Sequence, residues 1–326
     1  MIHPKDVLVA GEKVLPSLAM CEHYAGNQKF IQKAFDLQVS LGPIFDINCD
    51  CEDGAKPGHE REQAMMIAQE LRSERNIYKR SGARIHGVNH PTWTQDVDIL
   101  LSEAGEQIAF MSLPKARTTT DLATMIEYIQ KKCAYYGLKR QIPLHAIIET
   151  PGALKHVARI AGLPWLEALA FGQLDFISEH HGAIPLNAMQ SPAQFEHALI
   201  VRAKAEIVEA ALTNALVPTH SLTLELTNTA KITEDASIAR DKFGFLRMWS
   251  IHPTQITPIV DAMKPRYEDV HSAELILIEA QKADWAPIRY EGKLQEAATY
   301  RYFWELLKRA HSAGITLSDD TIKRFL

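Results

Sequence analysis

Short apolar segments alternate with longer stretches of helical spacing along most of the chain. The segments "SLAMCEHY", "PIFDINC", "ARIHGVN", "QIAFMSLPKA", "PLHAIIET", "ALAFGQLDF", "HSLTLEL" and "MWSIHP" are short, apolar and bounded by polar or turn-forming residues, which predicts strands. Between them, "HEREQAMMIAQELRSE" predicts a helix with Met65, Ala68 and Leu71 along one face and charges elsewhere. "TTTDLATMIEYIQKKCAYYG" predicts another, opening on threonine and closing on Gly137, as helix caps require. Eight strands, each followed by a helix, predict an α/β fold, a parallel (β/α)8 TIM barrel over residues 1–265. The rival, a doubly wound sheet, lacks support: no G-x-G-x-x-G follows the first strand and there is no P-loop motif. Residues 266–326 carry two more helical patterns, "YEDVHSAELILIEAQKADW" and "GKLQEAATYRYFWELLKRAHSAG", joined at "APIRYEGK". They predict a C-terminal helical lid segment that folds over the barrel mouth or over a neighbouring subunit.

In a barrel of this kind chemistry belongs at the C-terminal ends of the strands. Those ends carry Glu22 and His23, then Asp50, Glu52 and Asp53, then Arg84 and His86, and further on Lys115, Glu149, Asp175 and His252. The set is acid-rich and has no serine in a G-x-S-x-G turn. Carboxylates that share a cavity repel one another unless they are protonated or bridged by a cation. Hard oxygen ligands suit Mg2+, with Mn2+ as the substitute. Glu149 and Asp175, read as the ends of strands five and six, are the expected metal ligands. Arg84 can hold a carboxylate or a developing enolate in its fork. Each has a plainer reading. Asp175 can serve only as a helix cap, and Arg84 only as the ion-pair partner of the acidic turn. His180 and His181 lie in a polar stretch and read as loop residues, and His252 reads as a structural histidine.

Two features raise other chemistries. Lys115 stands where Schiff-base aldolases keep their nucleophile, although an ammonium among acids is expected to stay protonated. The stretch "CDCEDGA", residues 49–55, with Cys21 and His23 on the neighbouring strand, supplies a zinc-like ligand set. Buried cysteines also pack as small apolar residues, and strand alternation turns them away from Asp50 and Glu52.

Composition narrows the function classes. The 326 residues carry a net charge of −5, which argues against a nucleic-acid partner. No apolar run is long enough to span a membrane, and the opening residues lack the pattern of a secretory signal. Four cysteines are too few for a disulfide framework, so a reducing, cytoplasmic setting is expected.

Several motifs, in order and at barrel spacing, resemble those of the citrate lyase β-subunit and malyl-CoA lyase family, the HpcH/HpaI aldolase-like lyases. "SLAMCEHYAGNQKFIQKA" resembles the family's first strand and helix start, and "CEDGA" its L-E-D-A-V turn. "RIH" resembles its R-x-N, with His86 in the asparagine position, and "LPKA" its fourth strand end. "IIETPGALKHVARIAGL", "FGQLDF" and "GFLRMWSIHPTQI" complete the series, so the resemblance runs from about Ser17 to about Ala310. It implies Mg2+-dependent cleavage, or formation, of a 3-hydroxyacyl-CoA thioester, giving acetyl-CoA or a homologue and a 2-oxo acid. It also implies a metal held by Glu149 and Asp175, an enolate stabilised by Arg84, and Glu52 and Asp53 lining the metal side. Lys56 and Arg61 are then expected to meet the coenzyme A moiety. The resemblance implies, too, a catalytic acid/base from a C-terminal lid, often lent by a neighbouring subunit; the family's aspartate there falls at Glu296 in "YEGKLQE", and homotrimers or hexamers are expected. A CoA-thioester hydrolase on the same barrel and a ligand-binding homologue without activity are the remaining alternatives.

Overall fold

A computed structural model describes residues 2–9, 11 and 13–326, and the chain divides into two compact units. The first helix, α1 (Pro4–Leu8), precedes the barrel strand β1 (Cys21–Ala25) and α2 (Gln28–Leu41). Then come β2 (Phe45–Asp50), α3 (Glu60–Arg72), β3 (Ser81–Arg84), α4 (Trp93–Ala104), β4 (Met111–Leu113) and α5 (Thr119–Tyr135). The fifth turn of the barrel is β5 (Leu144–Ile148) with two short helices, α6 (Pro151–Lys155) and α7 (Val157–Ala161). The rest follows as β6 (Leu166–Phe171), α8 (Gln173–Ser178), α9 (Ala198–Thr213), β7 (Val217–His220), α10 (Thr229–Phe243), β8 (Arg247–Ser250) and α11 (Pro253–Met263). All eight strands are parallel and the sheet closes, with β1 bonded to both β2 and β8. This is the expected TIM barrel.

The helices start and stop for local reasons. Asn27 caps α2 by accepting from the Phe30 N–H at 3.0 Å. Thr118 and Asp121 cap α5 reciprocally, and Gly137 follows its end at φ +70°. Helix α3 is rotated from the expected face. It buries Ala64, Ile67, Ala68 and Leu71, while Met65 is 40% exposed. The 3.6-residue period makes Ala64, Ile67, Ala68 and Leu71 one stripe, and Met65 lies at its edge.

Parallel barrel strands are covered on the outside by helices, so their outward residues are apolar. Cys21, Ile47, Cys49 and Ala83 are fully buried there. The inward residues of the lower barrel are polar instead, and they pair with one another. Asn48 donates to the Glu22 carboxylate at 2.6 Å and to Ser112 Oγ at 2.7 Å. Arg247, with no exposed surface, forms ion pairs with Glu22 at 2.8 Å and with Asp46. His145 lies between Glu22 and Glu167 and stacks on Phe110. Burial pushes the Glu22 carboxyl up, but Arg247, His145 and Asn48 outweigh it and hold the group down at about 2.

The remaining residues up to Ser17 and those from Lys264 onward form the second unit. It contains α12 (Tyr267–Lys282), a hairpin of β9 (Ile288–Tyr290) and β10 (Lys293–Gln295), α13 (Ala297–Ser312) and α14 (Asp319–Phe325). The two long helices follow the sequence pattern. The hairpin does not: "APIRYEGK" folds back on itself because Glu291 and Gly292 both take positive φ, the geometry of a two-residue hairpin turn. The N-terminal residues belong here, since Val9 joins Val270, Trp304 and Phe325 in one apolar cluster and Trp285 donates to the Ile2 carbonyl.

Removing a buried arginine leaves its acids without a counter-charge. Arg247→Met is expected to lower stability by about 3–5 kcal/mol, measured as the shift in urea midpoint at pH 7. The Glu22 carboxyl is depressed in the folded state, so its contribution is whole above its ordinary value of 4.5 and fades as pH falls through about 2. The stability difference between wild type and Glu22→Gln should therefore shrink over that window in urea melts.

Candidate active site

The strand ends of the first unit gather an acidic cleft around two cations. The cleft has a volume of about 530 Å3 and is lined by Glu52, Asp53, His86, Lys115, Asp175 and residues around them. Beneath it, Arg84, the last residue of β3, grips Asp50, the last residue of β2, through two hydrogen bonds: Nε to Oδ1 at 2.8 Å and Nη2 to Oδ2 at 2.6 Å. Its Nη1 reaches Glu52 at 3.1 Å and Asp53 at 3.5 Å. The Tyr24 ring lies against the guanidinium, 5.2 Å from its carbon. Burial would lower the Arg84 pKa, but Asp50 and Glu52 raise it well above the usual value, so the charge stays.

The acidic turn depends on two glycines. Asp50 accepts from the Glu52 and Gly54 N–H groups at 3.0 and 2.7 Å. A Cβ on Gly54 would lie 2.5 Å from Asp50 Oδ2, and one on Gly26 would lie 2.6 Å from the Gly54 carbonyl. The first-strand turn and the acidic turn thus press on each other backbone to backbone.

Glu149 follows β5 directly. Thr150 caps α6 behind it, accepting from Ala153 N–H at 2.9 Å and donating to the Ala116 carbonyl at 2.7 Å. The Glu149 side chain passes over Gly172, where a Cβ would lie 2.4 Å from Oε2. It accepts from the Lys115 N–H at 2.6 Å. Burial, then Glu52 and Asp175, push its pKa well above the carboxylate range. Glu52 is pushed up to about 7, first by burial, with Arg84 and Lys115 opposing. The Lys115 ammonium stands among these acids, 2.8 Å from Asp53, 3.2 Å from Glu52 and 3.6 Å from Asp175. Burial would lower its pKa, but the hydrogen bond to Asp53 and the charges of Glu52 and Asp175 raise it above the usual value. A protonated amine has no lone pair with which to attack a carbonyl.

Most of the residues expected from the sequence therefore meet: Arg84, Glu52, Asp53, Glu149, Asp175 and Lys115, with Lys56 on the cleft wall. Asp175 needs a correction. It does not end strand six, which stops at Phe171, but lies in the first turn of α8, with Gly172 as that helix's cap. Arg61 is exposed on α3 and is not among the cleft-lining residues. Glu296 lies in the second unit, at the N-cap of α13, where its N–H donates to Thr299 Oγ at 2.9 Å. His252 is exposed beside Thr254, and His23 is buried against Ser250. His180 Nδ1 meets the Phe176 carbonyl, consistent with a loop-anchoring residue.

The cysteines pack. All four are buried and free, and burial pushes the Cys21 thiol up to about 12, that of Cys133 to about 11 and those of Cys49 and Cys51 upward as well, so none offers a thiolate. Sequence reasoning missed His90, Asn89, Arg117 and Glu179 on the cleft wall and the buried Asp96 behind His86. A signal for the first two existed in "GVNHPTW", a polar run just after β3. Asp96 gave none, being an ordinary-looking acid within a helix.

The donor set fits a hard divalent cation: the oxygens of buried Glu149 and cleft-facing Asp175 are hard donors, and Glu52 and Asp175 make Glu149 harder to ionise. Among the described residues no three His, Cys, Asp or Glu side chains already form a metal-binding group. Lys115 supplies the neutralising charge instead.

Comparisons with known proteins identify the family. The family model described as HpcH/HpaI aldolase/citrate lyase matches residues 46–252, which takes in every strand end except that of β1. An L-malyl-CoA/beta-methylmalyl-CoA lyase of Rhodobacter capsulatus is 27% identical over 284 residues, 82% of this chain and 88% of that protein. A solved citrate lyase from Burkholderia xenovorans is 42% identical, with a TM-score of 0.90 and full coverage of both chains. A CitE protein of Mycobacterium tuberculosis, solved with magnesium, acetoacetate and coenzyme A, shares the fold at 16% identity and a TM-score of 0.69, over 90% of this chain and 98% of that one. By sequence motif, fold and family match alike, the chain belongs to the HpcH/HpaI aldolase/citrate lyase family of carbon–carbon lyases.

Proposed function

We propose that the protein is a magnesium-dependent lyase that splits a 3-hydroxyacyl-CoA thioester into an acyl-CoA and a 2-oxo acid, or joins the two. The observation that carries this reading is the buried Glu149, whose carboxyl is pushed up by burial and by Glu52 and Asp175 and which waits for a cation to stabilise its ionised form. Glu149 and Asp175 would hold the metal, and Mn2+ would serve with the same oxygen donors. When bound, the ion supplies Lewis acidity toward the oxygens of the oxo acid. The names of the malyl-CoA lyase relatives and the ligands of the tuberculosis structure support the substrate class.

The chain's own residues then divide the work. Arg84, charged and locked to Asp50, offers the N–H groups it does not use there to the enolate oxygen of the thioester. Glu52, at about 7, is poised to take the proton of the 3-hydroxyl on cleavage and to return it on condensation. Lys115 and Asp53 close the acidic side of the cleft, and Lys56 faces the coenzyme A.

Mass-spectrometric screening of 2-oxo acids with acetyl-CoA and propionyl-CoA in the presence of Mg2+ should give condensation products. Free CoA with an intact carbon skeleton would mark a hydrolase instead. Glu149→Gln is expected to keep or raise the metal-free Tm, because it removes a repelled buried acid. It should also lose the Mg2+-induced rise in Tm and at least ~100-fold in turnover. Gly172→Ala should act in the same direction, costing ~10–100-fold by displacing the Glu149 carboxylate, since its Cβ would lie 2.4 Å from Oε2. Borohydride added with substrate should leave the protein mass unchanged; an adduct on Lys115 would overturn the metal route.

A further inference from the structure

We propose that the ion pair between Arg117 and Glu179 positions Asp175 against Glu149, so that this pair sets the site's affinity for its divalent cation. The inference rests on the reading above, in which Glu149 and Asp175 hold the metal.

The two expected ligands are held very differently. Glu149 is buried, accepts from the Lys115 N–H at 2.6 Å and passes closely over Gly172. The Asp175 side chain is 36% exposed and meets the Lys115 ammonium at 3.6 Å. It stands on α8, a helix of six residues, which is too short to keep its shape or place without tertiary contacts. Phe176 and Ile177 bury one face of that helix. The polar anchors at its start are long: the Gln173 N–H reaches Ser221 Oγ at 3.3 Å, and its side-chain amide reaches the Ala188 carbonyl at 3.2 Å.

A shorter and more directional anchor holds the other end. Glu179, the C-cap of α8, donates its N–H to the Asp175 carbonyl at 2.8 Å. The two side chains therefore stand one turn apart on the same face, and both line the cleft. Arg117 grips Glu179 fork to fork, Nη1 to Oε2 at 2.9 Å and Nη2 to Oε1 at 2.7 Å. Two parallel bonds of this kind fix direction as well as distance.

Arg117 in turn stands on the segment that holds Glu149. Residues 115–117 follow β4, and each of them touches an element that carries a ligand. The Lys115 N–H holds Glu149 itself, the Ala116 carbonyl accepts from Thr150 at 2.7 Å, and the Arg117 side chain holds Glu179. The segment is fixed as well: the Arg117 N–H donates to Asp121 Oδ2 at 2.8 Å, and a Cβ on Gly152 would collide with the Arg117 carbonyl. Three consecutive residues thus tie the Glu149 element by backbone and the Asp175 helix by one side chain. Two carboxylates that share one small cation depend on such a spacing, because Mg2+ demands near-octahedral geometry.

A long-range field alone has the opposite consequence for one partner. Acting only through charge, loss of Arg117 would strengthen cation binding and loss of Glu179 would weaken it. Acting as a clasp, the pair weakens binding whichever partner is lost.

Mn2+ binding to the purified protein, read by electron paramagnetic resonance of the free ion, separates the two, with the Mg2+-induced rise in Tm as a second readout. Arg117→Met and Glu179→Gln should each weaken Mn2+ binding by ~10–100-fold. The double variant should bind no more weakly than either single one, because both break the same contact. Exchanging the pair, Arg117→Glu with Glu179→Arg, should restore most of the affinity. Arg117→Lys keeps the charge but not the fork, so it should fall between wild type and Arg117→Met, and it guards against a folding failure of the latter. The metal-free Tm should scarcely move, since both side chains are partly exposed. In the condensation assay the Mg2+ concentration for half-maximal rate should rise by the same factor, with kcat at saturating Mg2+ retained. Tighter Mn2+ binding in Arg117→Met than in wild type, or unchanged binding in both folded single variants, would overturn the clasp and leave the lyase reading standing. A wild type that binds neither ion would sink both.

Discussion

The site hangs on the two hydrogen bonds between Arg84 and Asp50. Burying several carboxyls at one end of a barrel is unfavourable unless a fixed positive charge stands among them. Arg84 supplies that charge from the end of one strand to the end of the next, so its position follows from strand register rather than from a loop. With Arg84 held there, the turn after β2 folds over it, and Glu52 and Asp53 approach its remaining nitrogen. A lower level of the barrel repeats the arrangement, with Arg247 set between Glu22 and Asp46. One barrel therefore carries two buried arginine–acid layers, the upper one open to the cleft and the lower one sealed.

Lys115 completes the charge balance in a way that separates two enzyme classes. Placed in an apolar pocket, a strand-end lysine loses its proton and becomes a nucleophile; placed among Asp53, Glu52 and Asp175, it keeps the proton. The same residue type at the same fold position thus has opposite chemistry, and the neighbours decide which. Its backbone contributes as well, since its N–H holds the Glu149 oxygen.

Much of this was legible in the one-dimensional pattern. Eight apolar segments separated by helical ones leave a closed parallel sheet as the arrangement that buries them all, and the C-terminal strand ends then name Asp50, Arg84, Lys115 and Glu149 as neighbours. Other features were not legible, for identifiable reasons. Met65 has the same hydrophobicity whether it faces the barrel or water, and only the rotation of α3 exposes it. Asp175 sits within four residues of the strand end, and α8 begins directly after Gly172, where Glu149 passes, so the residue falls on a helix. The hairpin at "APIRYEGK" depends on positive φ at Glu291, a residue that seldom adopts it.

The sequence by itself determined the barrel, the order of its acids and cations, and the family motifs, because these depend on period, length and residue type along the chain. Tertiary structure alone decided the pairings. That Arg84 binds Asp50, that Gly26 and Gly54 must both lack a side chain, and that Asp96 stands behind His86 are all contacts between segments remote in sequence or across a helix and a strand end. The physical reason is range: periodicity reports which face a residue takes, whereas a charge or hydrogen bond is satisfied only by the partner that folding brings within about 3 Å.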